Sequence, residues 1–139
     1  MSRLTLLIAC TSLTAAAWGQ ATVKVAVVLN KPDAGGVLRI ALCPDRTSFD
    51  TEVGCTTRTV PAIANVVTAV FDDVLVGERA VKVFHDINSD GELNTSWIGW
   101  PKEPYGFSND APVNMGPPPF KLAKFAVKEG EQTIRIRLR

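Results

Sequence analysis

The sequence has few of the residues that most often carry chemistry. Its 139 residues include one histidine and three cysteines, and the formal net charge is +1 without any basic run. A chain of this charge lacks the electrostatic footprint that nucleic acid or an anionic membrane surface requires. A single histidine, His85, also excludes a zinc site built on several histidines, and no serine lies in the G-x-S-x-G context of a hydrolase nucleophile.

Residues 1–19 have the layout of a secretory signal peptide. A basic residue, Arg3, precedes an apolar run over residues 4–17, and small residues follow up to Gly19. The run is too short and too rich in small residues for a spanning helix, which needs roughly 20 strongly apolar residues. We predict cleavage after Gly19, which leaves residues 20–139 as one domain in the periplasm or outside the cell.

The cysteines predict one disulfide bond. If Cys10 is removed with the signal peptide, Cys43 and Cys55 remain as an even pair in an oxidising compartment. A bridge between them would close a loop of about a dozen residues and add roughly 3 kcal/mol on the chain-entropy model. Two alternatives stay open: two buried free thiols, and a lipoprotein-processing box at residues 7–10 that would leave Cys10 as a lipid-anchored N-terminus.

From Ala21 onward, apolar and polar residues alternate with the period of half-buried antiparallel strands. In the last segment the pattern predicts Ile134, Ile136 and Leu138 inward and Arg135, Arg137 and Arg139 outward, and Pro61 marks an edge strand or a bend. About seven strands without a convincing amphipathic helix predict an all-β, two-sheet sandwich, with a small closed barrel as the alternative. The strand-like segments are residues 22–29, 37–43, 57–63, 65–71, 79–85, 121–127 and 133–139.

One long irregular loop, residues 86–120, interrupts this alternation. It holds six of the nine prolines and two of the three tryptophans, and because it is aromatic-rich without an excess of charge we expect it to be ordered. Its aromatic residues either form a binding surface for sugar rings or peptide, or pack as a small core under the loop. These residues are Trp97, Trp100, Tyr105 and Phe107.

The loop opens within FHDINSDGELN, whose last nine residues, 86–94, match the first nine positions of a calcium-binding loop. Oxygen ligands come from alternate residues of such a loop, and a glycine at the sixth position, here Gly91, permits its sharp turn. The twelfth position holds Trp97 instead of glutamate. We therefore predict weak calcium binding or an extra ligand from Glu103 or Asp110; the alternative is a metal-free turn in which these side chains cap backbone groups. The predicted ligands are the side chains of Asp86, Asn88, Asp90 and Asn94 and the carbonyl group of Glu92.

Two classes of function follow. The favoured interpretation is a noncatalytic module in which the calcium-type loop orders the aromatic surface for an envelope component, a glycan or a protein. The alternative is a small periplasmic hydrolase with His85 as general base and Asp86 or Glu103 as the orienting carboxylate.

Three segments, FHDINSDGELN, GWPKEPYGFSND and GPPPFKLAKFAV, resemble in this order domain of unknown function family 2141, an uncharacterised family of secreted bacterial proteins. The resemblance covers essentially the whole predicted mature chain. It implies an immunoglobulin-like or transthyretin-like β-sandwich and no established activity. This sequence departs from the family pattern at Arg79, where the family has an aromatic residue, and at Asn94, where it has an aspartate.

Overall fold

Within residues 19–139, eight strands form two sheets that pack face to face, so the predicted sandwich is confirmed with one strand more than the alternation indicated. The computed structural model describes residues 19–139, so the signal peptide and the alternative anchor at Cys10 lie outside the described residues, apart from Gly19. The strands are β1 (Gln20–Val28), β2 (Val37–Cys43), β3 (Thr56–Pro61), β4 (Val66–Leu75), β5 (Gly77–Asp86), β6 (Tyr105–Phe107), β7 (Phe125–Val127) and β8 (Gly130–Arg137). The sheets have the orders β4-β1-β8 and β3-β2-β5-β6, and β7 pairs with β5.

The main core lies between the inner faces of the two sheets. Alternate residues of β1 and β2 are buried there, as their period of two predicts. At the C-terminus Ile136 and Leu138 are buried and Ile134 is half-buried, while the three arginines between and after them are exposed, which confirms the predicted orientation. Pro61 ends β3, an edge strand, where a missing N–H costs no ladder hydrogen bond.

Three expectations about the elements were wrong. Strands β1 and β8 pair in parallel, not antiparallel. A parallel pair needs a long crossover connection, and here the rest of the chain between the two strands provides it. Residues 121–127 do not form one strand, since α2 (Phe120–Ala123) precedes β7. A short helix, α1 (Arg46–Thr51), was missed; its N-cap Asp45 accepts the N–H of Ser48 at 2.8 Å.

The two sheets are joined to each other along one side of the sandwich. The N–H of Tyr105 donates to the carbonyl of Arg139 at 3.2 Å, and the N–H of Arg139 donates back at 3.0 Å. Gly106 permits this approach, because a Cβ there would lie 2.8 Å from Cγ2 of Ile136. This side is therefore closed in the manner of a barrel, although the architecture is a sandwich.

A second, smaller core lies outside the sheets and is bounded by the predicted disulfide. Cys43 at the end of β2 is bonded to Cys55, just before β3, and α1 lies in the loop between them. Phe49 of α1 is buried there, with ring centroids 6.1 Å from Phe107 and 5.8 Å from Phe120. No helix within residues 19–139 is long and apolar enough to cross a membrane.

Candidate functional site

Asp86 is the residue around which the FHDINSDGELN turn folds. Its carboxylate is fully buried at the end of β5 and accepts the Nε–H of Arg39 at 2.6 Å through Oδ2. The same oxygen accepts the N–H of Gly91 at 2.9 Å, and Oδ1 accepts the N–H of Asp90 at 3.1 Å. The chain beyond β5 therefore folds back over its own last strand residue.

The charge of Asp86 is stabilised by these donors. Burial by itself raises the pKa of the carboxyl group, but the hydrogen bonds from Arg39 and the backbone N–H groups, together with the positive charge of Arg39, outweigh burial and lower the pKa. Asp86 is thus an ionised, buried acceptor at neutral pH.

Asp90 is a second carboxylate that fixes the turn. Oδ1 of Asp90 accepts the N–H of Glu92 at 2.9 Å, and Oδ2 accepts the side-chain amides of Asn88 at 3.1 Å and Asn94 at 2.9 Å. These bonds, that of Glu92 first, lower the pKa of Asp90.

Glu103 closes the turn from the far end of the loop. Its side chain is buried, and Oε1 accepts the N–H of Ile87 at 2.9 Å while Oε2 accepts the N–H of Asn94 at 3.0 Å. We call the segment it encloses, residues 86–103, the capped loop. Glu103 was predicted as an added metal ligand, and the structure brings it to the turn as an acceptor for backbone N–H groups.

These hydrogen bonds are those of the metal-free alternative. The side-chain oxygens that calcium would need already accept N–H groups, and the guanidinium group of Arg39 beside Asp86 opposes a second cation. Within residues 19–139, no group of three or more His, Cys, Asp or Glu residues is placed to hold a metal ion. The other suggested ligand, Asp110, lies apart from the turn: its Oδ1 accepts the N–H of Arg137 at 2.8 Å. Calcium binding stays a prediction of the sequence pattern.

The structure does not assemble the hydrolase residues into a catalytic set. His85 is fully buried, and its Nε2 lies 2.6 Å from the carbonyl oxygen of Gly35, while Nδ1 has no partner among the described residues. Successive side chains of a strand point to opposite faces, so Asp86 faces Arg39 and away from the imidazole. Both oxygens of Glu103 are occupied by backbone N–H groups.

A groove of about 890 Å³ crosses the outer face of the β3-β2-β5-β6 sheet. The floor of the groove consists of two rows of neighbouring side chains, and each row takes one residue from each of the four strands. Residues 91–93, 95 and 98–101 of the capped loop line one part of the groove, and residues 113 and 115–117 line another. The rows are Thr59, Arg39, Phe84 and Tyr105, and Thr57, Ala41, Lys82 and Phe107.

Sequence reasoning missed this groove, although one signal for it is present. A sheet with one solvated face alternates apolar-in with polar-out, yet the outward residues Ala41 and Phe84 are apolar. Their apolar side chains on the outer face indicate that something covers that face or binds to it.

The four aromatic residues of the irregular segment have two different roles. Tyr105 and Phe107 pack together with ring centroids 6.1 Å apart and join the second core, as the small-core alternative predicted. Trp100 is 56% exposed and lines the groove. Trp97 is 97% exposed and is not among the groove residues. The aromatic surface predicted for binding is therefore present only in part.

The fold and the groove define an all-β sandwich protein with an apolar cleft across one sheet. The chain belongs to the DUF2141 family, described as an uncharacterised protein conserved in bacteria, which matches residues 25–135. No curated protein and no solved structure matches the chain.

Proposed function

We propose that this chain is a periplasmic or secreted, noncatalytic module that binds a small, largely apolar ligand in the groove. The observation that carries the proposal is the groove itself. Its volume of about 890 Å³ falls within the range of roughly 300–1,000 Å³ that is typical of small-molecule sites. Its lining combines apolar side chains, among them Phe84, Leu93, Ile98 and Trp100, with a few charged groups.

The capped loop has a defined part in this function. Asp86 and Glu103 hold the two ends of the loop by accepting its backbone N–H groups. The segment between them carries Leu93, Ile98 and Trp100 to the groove. Because these side chains are placed before the ligand arrives, binding does not have to supply the free energy of ordering them.

An extracytoplasmic location is supported by two observations. The Cys43–Cys55 disulfide is a bond that persists in oxidising compartments. The N-terminal residues also have the layout of a signal peptide. The hydrolase alternative is not proposed, because the imidazole of His85 is fully buried.

Binding of a neutral apolar dye tests the groove. We expect N-phenyl-1-naphthylamine to bind residues 20–139 with a rise in fluorescence, and Trp100→Ala to weaken its Kd roughly two- to tenfold, the equivalent of losing one aromatic contact of about 0.5–1.5 kcal/mol. Trp97→Ala is the matched control, since Trp97 is exposed outside the groove. Absence of dye binding, or equal losses in both variants, would show that the groove is not the binding site.

Thermal unfolding tests whether the capped loop needs a metal ion. Because its carboxylates already accept N–H groups, we expect the same Tm in chelator and in millimolar calcium. A calcium ion that binds only the folded chain, present at a hundred times its Kd, would instead add roughly 2.7 kcal/mol to the free energy of unfolding. A calcium-selective rise in Tm that Asp90→Ala removes would establish the calcium site and refute the metal-free loop.

A further inference from the structure

Arg39 is the charged residue best placed to select a ligand in the groove. It lies in the floor between Thr59 and Phe84, and its side chain is 33% exposed. Among the described residues its hydrogen bond is made by Nε alone, to Asp86. Its two terminal amino groups are therefore free to donate, and the guanidinium plane is already fixed by the buried carboxylate beneath it.

The neighbouring charges of the groove are engaged differently. Lys82 donates to Glu52 and to the carbonyl of Phe49, each at 2.9 Å, and Arg58 donates to the carbonyl of Thr57 at 2.9 Å. The charged residues that line the groove are three cations, Arg39, Arg58 and Lys82, and two anions, Glu52 and Glu92. With the carboxylate of Asp86 beneath Arg39 included, these charges sum to zero.

The rest of the lining is suited to a hydrocarbon chain. Five apolar side chains border the groove: Phe84, Leu93, Ile98, Trp100 and Met115. Ile98, Trp100 and Met115 are more than half exposed. Burial of such side chains against an aliphatic chain is favourable by roughly 25 cal/mol per Å² of apolar surface. A glycan would bring many hydroxyl groups that this lining does not satisfy.

We propose that the groove binds a single-chain amphiphile with one carboxylate head group, held by the terminal amino groups of Arg39, with its aliphatic body along the apolar lining. The fork of an arginine matches a carboxylate with two parallel hydrogen bonds. Because Asp86 already neutralises the charge of Arg39, a head group with one negative charge is repelled less there than a phosphate monoester, which would bring about two. This inference rests on the proposed binding function of the groove and specifies the class of its ligand.

Displacement of the bound N-phenyl-1-naphthylamine by four dodecyl compounds, each below its micellar concentration, tests the inference. We expect dodecanoate to displace the dye at a concentration at least about tenfold lower than dodecyl maltoside or dodecyltrimethylammonium, and lower than dodecyl phosphate. This comparison uses the unaltered protein and does not depend on any variant folding. Dodecyl compounds that compete equally, or a preference for phosphate over carboxylate, would overturn the assignment.

Substitution of Arg39 locates the selectivity. In Arg39→Gln we expect dodecanoate and dodecyl maltoside to displace the dye at about the same concentration. Arg39→Lys keeps a positive charge beside Asp86 but loses the fork, so this variant should retain only part of the preference for dodecanoate. Arg46→Gln is the control, since Arg46 is an exposed residue of α1 outside the groove. Unchanged selectivity in Arg39→Gln would overturn the role of Arg39. Failure of the dye itself to bind would instead refute the groove as a binding site.

Discussion

Replacement of Asp86 by alanine is expected to lower the Tm of residues 20–139 by roughly 12 °C. The substitution removes a fully buried carboxylate that accepts Arg39 and two backbone N–H groups, and it leaves those donors without an acceptor. Breaking a buried pair costs about 3–5 kcal/mol; we take the lower value because Arg39 keeps some contact with water. For a domain of this size, 1 kcal/mol corresponds to about 4 °C.

A second aspartate–arginine pair provides the control for this measurement. Asp50 lies 3.5 Å from Arg46 on α1, and both side chains are more than half exposed. Exposed pairs contribute about 0–1 kcal/mol, so Asp50→Ala should change the Tm by less than about 4 °C. Similar losses in the two variants would mean that burial of Asp86 does not decide its contribution.

The effect of Asp86 also has a pH dependence of known sign. Its pKa in the folded chain is lowered from the ordinary value of 3.8. A lowered pKa contributes stability that is fully present above the unfolded value and is lost as pH falls through the folded value. The difference in Tm between the unaltered chain and Asp86→Ala should therefore be constant near neutral pH and shrink below about pH 4. A difference that grows in acid would contradict the assignment of Asp86 as an ionised acceptor.

The sandwich could be predicted from the sequence because its signal is local. Val23, Val25 and Val27 alternate with polar or small residues, and one buried face is enough to produce that pattern. Helix α1 could not be found in the same way, since its six residues are too few to show a helical period. The parallel pairing of β1 and β8 joins residues more than a hundred positions apart, and nothing in either segment specifies its partner.

The turn after β5 was also predicted, with two alternative roles for its carboxylates, metal binding and backbone capping. An aspartate followed by an Asn-x-Asp-Gly pattern can surround a cation or cap its own backbone, and the local sequence is the same in both cases. The observed hydrogen bonds depend on Arg39, 47 positions before Asp86, and on Glu103, 16 positions after Ile87. The groove needs four strands in register, which is again information that no single segment contains.

The turn that precedes β2 supports the capped loop from the opposite side, and its two glycines differ in one respect. Gly35 and Gly36 have almost the same φ, +73° and +74°. A Cβ at Gly35 would meet nothing within 4 Å, whereas a Cβ at Gly36 would overlap the carbonyl oxygen of Asp86 and lie 2.7 Å from Cα of Ile87. Gly36 is therefore required by close packing as well as by its conformation.

Alanine at each glycine separates these two requirements. In Gly35→Ala the only cost is that of a residue with a Cβ in the left-handed conformation, about 1–2 kcal/mol, which should lower the Tm by roughly 4–8 °C. Gly36→Ala has the same conformational cost, and its Cβ also overlaps backbone atoms that cannot rotate away, which costs about 1–3 kcal/mol more. We therefore expect the Tm of this variant to fall by roughly 8–20 °C. Since the overlap displaces Asp86, the Gly36 variant should also lose dye binding in the groove while the Gly35 variant keeps it. Equal effects on Tm and on dye binding would show that the contact between Gly36 and the capped loop does not position the groove.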